Sequence, residues 1–174
     1  MDITLLVLHV VIGLLFVGHG AQKLFGAFGG YGIAGTAGWM ESIGLKPGRL
    51  HAIAAGVAEF AGGALIALGL FVPFAAAVLI ATMVTAVITV HGRNGVWVTN
   101  QGYEYNLVLV VALFALVGVG AGKYGLDDAF GFDLASTGWA IGSLVAGLVG
   151  GIGAVVAGRL GARVSSGDTH AVTA

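Results

Sequence analysis

Apolar stretches long enough to cross a lipid bilayer recur along the whole chain. A transmembrane helix needs about 20 mostly apolar residues to cross a hydrocarbon core about 30 Å thick. Stretches of this kind, with few ionisable residues in their interiors, cover residues 3–25, 51–71, 73–91, 104–121 and 139–158. The sequence therefore predicts an all-α membrane protein that crosses the bilayer five times.

Composition excludes several functional classes. Only 9% of the residues are charged, against about 25% in a typical soluble domain. The net charge of -1 offers no positive field for a polyanion, so nucleic acid is not an expected partner. Cysteine is absent, which excludes disulfides, thiolate metal sites and covalently attached haem. A redox role would therefore need a dissociable carrier or a non-thiolate cofactor.

The positive charges predict the orientation in the cell membrane. With five spans, the first loop, the connection after the third span and the C-terminus share one side, and Lys123 lies on the other. Lysine and arginine concentrate on the cytoplasmic side of membrane proteins. We therefore expect the N-terminus outside and the C-terminus in the cytoplasm. The residues on the cytoplasmic side would be Lys23, Lys46, Arg49, Arg93, Arg159 and Arg163.

Two polar segments lie outside the spans. In the long first connection, residues 36–43 could form a short interfacial helix with Trp39 at headgroup depth, and a plain loop is the alternative. Residues 161–174 become small and polar, so we expect a disordered cytoplasmic tail.

Lys23 and Glu59 are the most informative ionisable residues inside spans, where such side chains are costly and are functional candidates. Glu59 lies on a helical stripe of small residues, which favour close helix packing, so it should face another helix. A lysine nearby would keep its carboxylate charged. The two could form an ion pair or a proton-exchanging pair, and a purely structural bridge is the alternative. The small residues of the stripe are Ala52, Gly56, Gly63 and Ala67.

Other polar residues are expected at the same depth. His19, His91, Glu104 and Asn106 all lie near span ends on the predicted cytoplasmic side, which predicts a polar cavity around Glu59. With His51 at the start of the second span, three histidines and two carboxylates at this depth could hold a metal or a bis-histidine haem. No closely spaced ligand pair supports a metal site, so none is predicted, and haem remains an open alternative.

The remaining polar residues of the spans have structural interpretations. His9, alone in the opposite half, is expected to be a hydrogen-bonded structural residue. Thr82, Thr85 and Thr89 share one stripe of the third span and are expected to join helices.

Four short motifs together resemble the DoxX family of small bacterial membrane proteins. They are Gly-His-Gly-Ala-Gln-Lys-Leu-Phe-Gly at 18–26, Ala-Glu-Phe-Ala-Gly-Gly at 58–63, Asn-Gln-Gly-Tyr-Glu-Tyr-Asn at 100–106 and Gly-Leu-Asp-Asp at 125–128. The resemblance implies a DoxX-like four-helix transmembrane bundle over residues 1–130. It leaves residues 131–160 as an added C-terminal fifth transmembrane helix, followed by the tail 161–174.

The resemblance also implies a function. Some relatives are subunits of a thiosulfate:quinone oxidoreductase or partners in membrane oxidoreductase complexes, which implies a quinone-linked subunit here. Lys23, Glu59 and Glu104 occupy matching polar positions and would be catalytic. Because His19, His91 and Asn106 are expected at the same depth as the polar cavity around Glu59, they would bind the cofactor.

Two other functions stay open. The chain could be a non-catalytic membrane scaffold subunit of a larger complex. It could also be a small proton-coupled transporter, although no inverted repeat supports this. The expected partners are the lipid bilayer and either other subunits of a membrane redox complex or further copies of the chain.

Overall fold

Helices form nearly all of the protein. The computed structural model describes residues 2–171, with side chains described for residues 2–164, and this part of the chain contains no strand. The α4 helix continues into a π-helical turn at Val87–His91. The helices are α1 (Asp2–Phe25), α2 (Gly32–Ser42), α3 (Gly48–Leu68), α4 (Val72–Ala86), α5 (Glu104–Val119), α6 (Leu126–Ala129) and α7 (Thr137–Ala171).

Four helical stretches are long and apolar enough to cross a membrane: residues 2–25, 48–68, 72–94 and 137–164. The protein is therefore a multi-pass membrane protein with an all-α bundle, as predicted. The predicted fourth span is a shorter apolar helix, because α5 has 16 residues and a length of about 24 Å. It ends at Val119 because Gly120 has a φ of 91°, which stops the α-helical conformation.

The bundle is assembled from two closely packed helix pairs. α1 packs mainly against α3, and α4 packs mainly against α7. The α3–α4 contact joins the pairs, and α5 packs against α4 and α7. α7 thus belongs to the bundle and is not a peripheral addition. Gly147 and Gly151 let it approach α4 closely, because a Cβ on either would lie within 2.7 Å of α4 atoms.

The C-terminal helix is longer than predicted. We expected the last span to end near residue 158 and a disordered tail to begin at residue 161, but α7 continues to Ala171. Adding residues to an existing helix carries no nucleation cost, and no proline interrupts this segment, so polar composition alone does not end the helix. The last three residues of the predicted tail, 172–174, lie outside the described residues.

The first connection contains a short helix, which was one of the two alternatives predicted for residues 36–43, the other being a plain loop. α2 buries Thr36 and Met40, while Trp39 on its other face is exposed. The chain then turns into α3, and Lys46 N donates a hydrogen bond to Gly158 O at 3.1 Å. The first connection is therefore attached to the far end of α7.

Glycines allow α1 and α3 to approach each other closely. A Cβ on Gly13 would lie 2.5 Å from Gly63 O, and a Cβ on Gly20 would lie 2.4 Å from Phe60 N. Both obstacles are backbone atoms, which cannot move aside as a flexible side chain can. A methyl group at either position would therefore separate the two helices.

We expect Gly20→Ala to lower the free energy of unfolding by about 1–3 kcal/mol because the added methyl overpacks this contact. Titration with sodium dodecyl sulfate in mixed micelles measures the change. The matched control is Gly18→Ala on the same helix, where a Cβ would meet no atom within 4 Å. Equal destabilisation by both substitutions would contradict the close packing described here.

Candidate functional site

An ion pair joins α1 to α3 inside the membrane-spanning bundle. Lys23 Nζ donates a hydrogen bond to Glu59 Oε2 at 2.5 Å. The Lys23 side chain is 22% exposed and that of Glu59 is 6% exposed. The pairing predicted from the sequence is therefore confirmed, and Glu59 faces protein as expected.

The small-residue stripe of α3 explains how the lysine reaches the glutamate. Gly56 lies nearly one turn before Glu59, and a Cβ there would be 3.3 Å from Lys23 Cβ and 2.7 Å from Leu24 Cδ2. Only a residue without a side chain leaves this space for the two α1 residues. Gly63, further along the stripe, lies against the backbone of α1. The prediction that this stripe faces another helix is confirmed.

Burial makes the two charges depend on each other. In apolar surroundings an isolated carboxylate or ammonium is strongly disfavoured, whereas a paired one is tolerated. The Lys23–Glu59 pair therefore satisfies two charges that would each be disfavoured alone, while Lys23 keeps part of its side chain exposed.

The structure does not bring the other predicted site residues to this pair. His19 is exposed, and its ring centroid lies 6.4 Å from that of Tyr105. Glu104 Oε2 accepts a hydrogen bond from Val98 N at 2.9 Å, within its own connecting loop. His91 Nδ1 lies 2.8 Å from Gln101 O, at the other end of the same loop.

Asn106 lies neither at the Lys23–Glu59 pair nor in the loop that holds His91 and Glu104. It is 5% exposed, and its Nδ2 donates a hydrogen bond to Met83 Sδ at 3.4 Å. It lines a cavity of about 260 Å³ between α4, α5 and α7, which neither Lys23 nor Glu59 lines. Of the six predicted site residues, only Lys23 and Glu59 are therefore in contact within the described part of the chain.

A metal site has no support among the residues whose side chains are described. No group of three or more His, Cys, Asp or Glu side chains there lies close enough to hold a metal ion. His9, which was expected to be structural, is buried, with Nδ1 at 2.8 Å from Ile66 O and Nε2 at 3.3 Å from Gly120 O. Its two nitrogens thus link α3 to the end of α5.

One threonine of the predicted stripe joins two helices. Thr85 Oγ1 lies 3.3 Å from Gly151 O, its acceptor on α7. Thr82, Thr85 and Thr89 each also donate a hydrogen bond to a carbonyl within their own helical segment. The expected role of joining helices is therefore seen for Thr85 among the three.

Asp127 is a buried polar residue to which the sequence analysis assigned no role. Its carboxylate accepts hydrogen bonds from Phe71 N at 2.7 Å and Val72 N at 3.1 Å, and its own N–H donates to Gly69 O. It therefore caps the start of α4 and fixes the α3–α4 turn. A capping residue is usually recognised just before its own helix, whereas this one lies more than 50 residues later in the chain.

We expect Lys23→Met and Glu59→Met to destabilise the protein singly, by about 2–4 kcal/mol each, because each leaves the other charge unpaired. The double variant should lie within about 1 kcal/mol of the wild type, because it leaves no unpaired charge. Detergent unfolding of the wild type, the two single variants and the double variant gives the coupling free energy between the two side chains. Additive losses in the double variant would show that the two charges do not depend on each other.

Comparison with known proteins assigns the chain to a family. The sequence profile of the DoxX family matches residues 4–92, which cover nearly all of α1, all of α2, α3 and α4, and both members of the ion pair. A Bacillus subtilis (strain 168) protein named "Putative oxidoreductase CatD" is 32% identical over 117 residues, which are 67% of this chain and 81% of that protein. No solved structure gives a significant match. The chain is a member of the DoxX family.

Proposed function

We propose that this chain is the quinone-linked membrane subunit of an oxidoreductase complex. The observation that carries the proposal is the buried Lys23–Glu59 pair, which lies inside the segment shared with the DoxX family. Ionisable pairs within membrane spans commonly serve ligand or proton pathways. The name of the Bacillus subtilis relative supports an oxidoreductase context.

The pair fits the proton requirement of quinone chemistry. Reduction of a quinone to a quinol takes two electrons, which a redox cofactor of a partner subunit would supply, and two protons. Glu59 would receive a proton from Lys23 and pass it on to the reduced quinone, and the partly exposed lysine would take up a replacement from outside the bundle. The second proton would follow by the same route. This chain would thus contribute proton handling within a dry environment.

We further propose that the end of the bundle near Lys23 faces the cytoplasm. Lys23, Lys46, Arg49, Arg93 and Arg159 occupy segments at this end. At the opposite end, the positive charge of Lys123 lies beside Asp2, with 3.4 Å between Nζ and Oδ2. The asymmetry matches the distribution of positive charge in inner-membrane proteins.

We expect the protein purified in mild detergent to retain a quinone in its lipid extract. When bound quinone is reduced electrochemically, infrared difference spectra should show a carboxyl band, because Glu59 changes its protonation or hydrogen bonding. The band should disappear in Glu59→Gln. It should persist in Asp133→Asn, a matched substitution at an exposed carboxylate.

The outcomes separate this proposal from its alternatives. Absence of quinone from the wild type would overturn it. Bound quinone with no Glu59 signal would make the pair a structural bridge, as in the scaffold function, which the close glycine packing of α1 and α3 also favours. A haem absorption band in the purified protein would replace quinone as the cofactor.

A further inference from the structure

The inner face of α1 is covered along most of the helix and becomes uncovered near its C-terminal end. His9, Ile12 and Phe16 recur on one helical stripe and are 2%, 7% and 1% exposed. His19 continues the same stripe three residues after Phe16, but it is exposed. Since α1 packs mainly against α3 and contacts α5 only slightly, the bundle is open between α1 and α5 at the level of His19.

Tyr105 lies on the α5 side of this opening. It belongs to the first turn of α5 and is 41% exposed. Its ring centroid lies 6.4 Å from that of His19, with an angle of 55° between the two ring planes. We call the space bounded by these two side chains the α1–α5 opening. An imidazole and a phenol therefore present polar atoms to a molecule that reaches it.

Both side chains have unused hydrogen-bonding capacity. Within residues 2–164, neither the His19 imidazole nor the Tyr105 hydroxyl has a hydrogen-bond partner in the protein. With the 24 residues of α1 centred in the bilayer, His19 lies about 8 Å from the midplane, inside a hydrocarbon core that reaches about 15 Å. Water is scarce at this depth, so an unpaired polar group is costly there. A ligand that arrives through the lipid with an acceptor oxygen would satisfy both donors.

We propose that the α1–α5 opening binds the ring of a membrane quinone, with one ring carbonyl accepting hydrogen bonds from the His19 imidazole and the Tyr105 hydroxyl. The isoprenoid tail would lie in the surrounding lipid. This inference rests on the proposed function, to which it adds the position of the ligand. His19 precedes Lys23 by four residues on α1, so the ring would lie about one helical turn, or about 6 Å, from the ion pair along the helix.

The chemistry of the opening favours a quinone over a phospholipid. Phosphates and ester carbonyls of phospholipids lie in the interfacial region outside the hydrocarbon core, and their acyl chains carry no acceptor for His19 or Tyr105. A quinone dissolves in the hydrocarbon region and carries two carbonyl acceptors on a flat ring. Flat rings also pack well against aromatic side chains in offset or edge-to-face arrangements. A quinone thus meets the polar and the aromatic features of the opening together.

Photolabelling of the protein in lipid nanodiscs tests the site. The probe is an azido-benzoquinone with a decyl chain, competed by the unlabelled decyl-benzoquinone, and labelled peptides are identified by mass spectrometry. We expect labels within residues 12–23 and 105–112, the parts of α1 and α5 that border the opening. His19→Phe and Tyr105→Phe should each weaken competition about threefold to tenfold, because each removes one hydrogen bond to the carbonyl.

Tyr124→Phe provides the matched control. Tyr124 is 50% exposed and follows the other end of α5, so loss of its hydroxyl should leave labelling and competition unchanged. Thermal unfolding of each variant shows that it is folded. Because His19 and Tyr105 have no hydrogen-bond partner within residues 2–164, His19→Phe and Tyr105→Phe should unfold at the temperature of the wild type, so that weaker competition reports on the ligand.

Three results would overturn the inference. If the wild type binds no quinone, the proposed function fails together with this site. If quinone binds but the labels map elsewhere, or His19→Phe and Tyr105→Phe compete like the wild type, the function stands and the ring is not held by these two residues. If decanol competes as well as decyl-benzoquinone, the opening accepts any alkyl chain and does not recognise a ring.

Discussion

The close approach of α1 and α3 is the constraint on which the rest of the bundle depends. In lipid, apolar side chains gain little by turning toward each other, so helices associate through tight packing and polar contacts. Gly13 and Gly63 bring the two backbones together, and this distance places Lys23 within reach of Glu59. The turn after α3 then directs α4 along the bundle, and α4 provides the surface for α5 and α7.

The residues on α3 show what can be predicted from sequence alone. Helical periodicity gives the face of each residue relative to its own helix, and small residues identify a face that meets another helix. Both properties can be read from the sequence of a single helix. The stripe around Glu59 and its pairing with Lys23 could therefore be predicted. The same reasoning located the four long apolar helices, because bilayer thickness sets their length, but it also took the 16-residue α5 for a fifth span.

The prediction that residues from several helices would meet in one cavity around Glu59 was less successful, and the reason is physical. Positions near span ends give depth in the membrane, but they do not give the direction in which a side chain points across the bundle. His19, for example, lies on an exposed face of α1. Glu104 and His91 instead bond to groups of their connecting loop. The cavity at Asn106 depends on contacts of α5 with α4 and α7, which the sequence does not specify.

The length of α7 has a mechanical consequence. Its 35 residues extend over about 52 Å, well beyond a hydrocarbon core of about 30 Å. The excess continues the same helix beyond the segment that carries Leu148, which lines the cavity at Asn106. Because Lys46 N is bonded to Gly158 O, this extension is also braced against the first connection. A force applied near its end would therefore reach both Leu148 and, through the Lys46–Gly158 hydrogen bond, the chain just before α3.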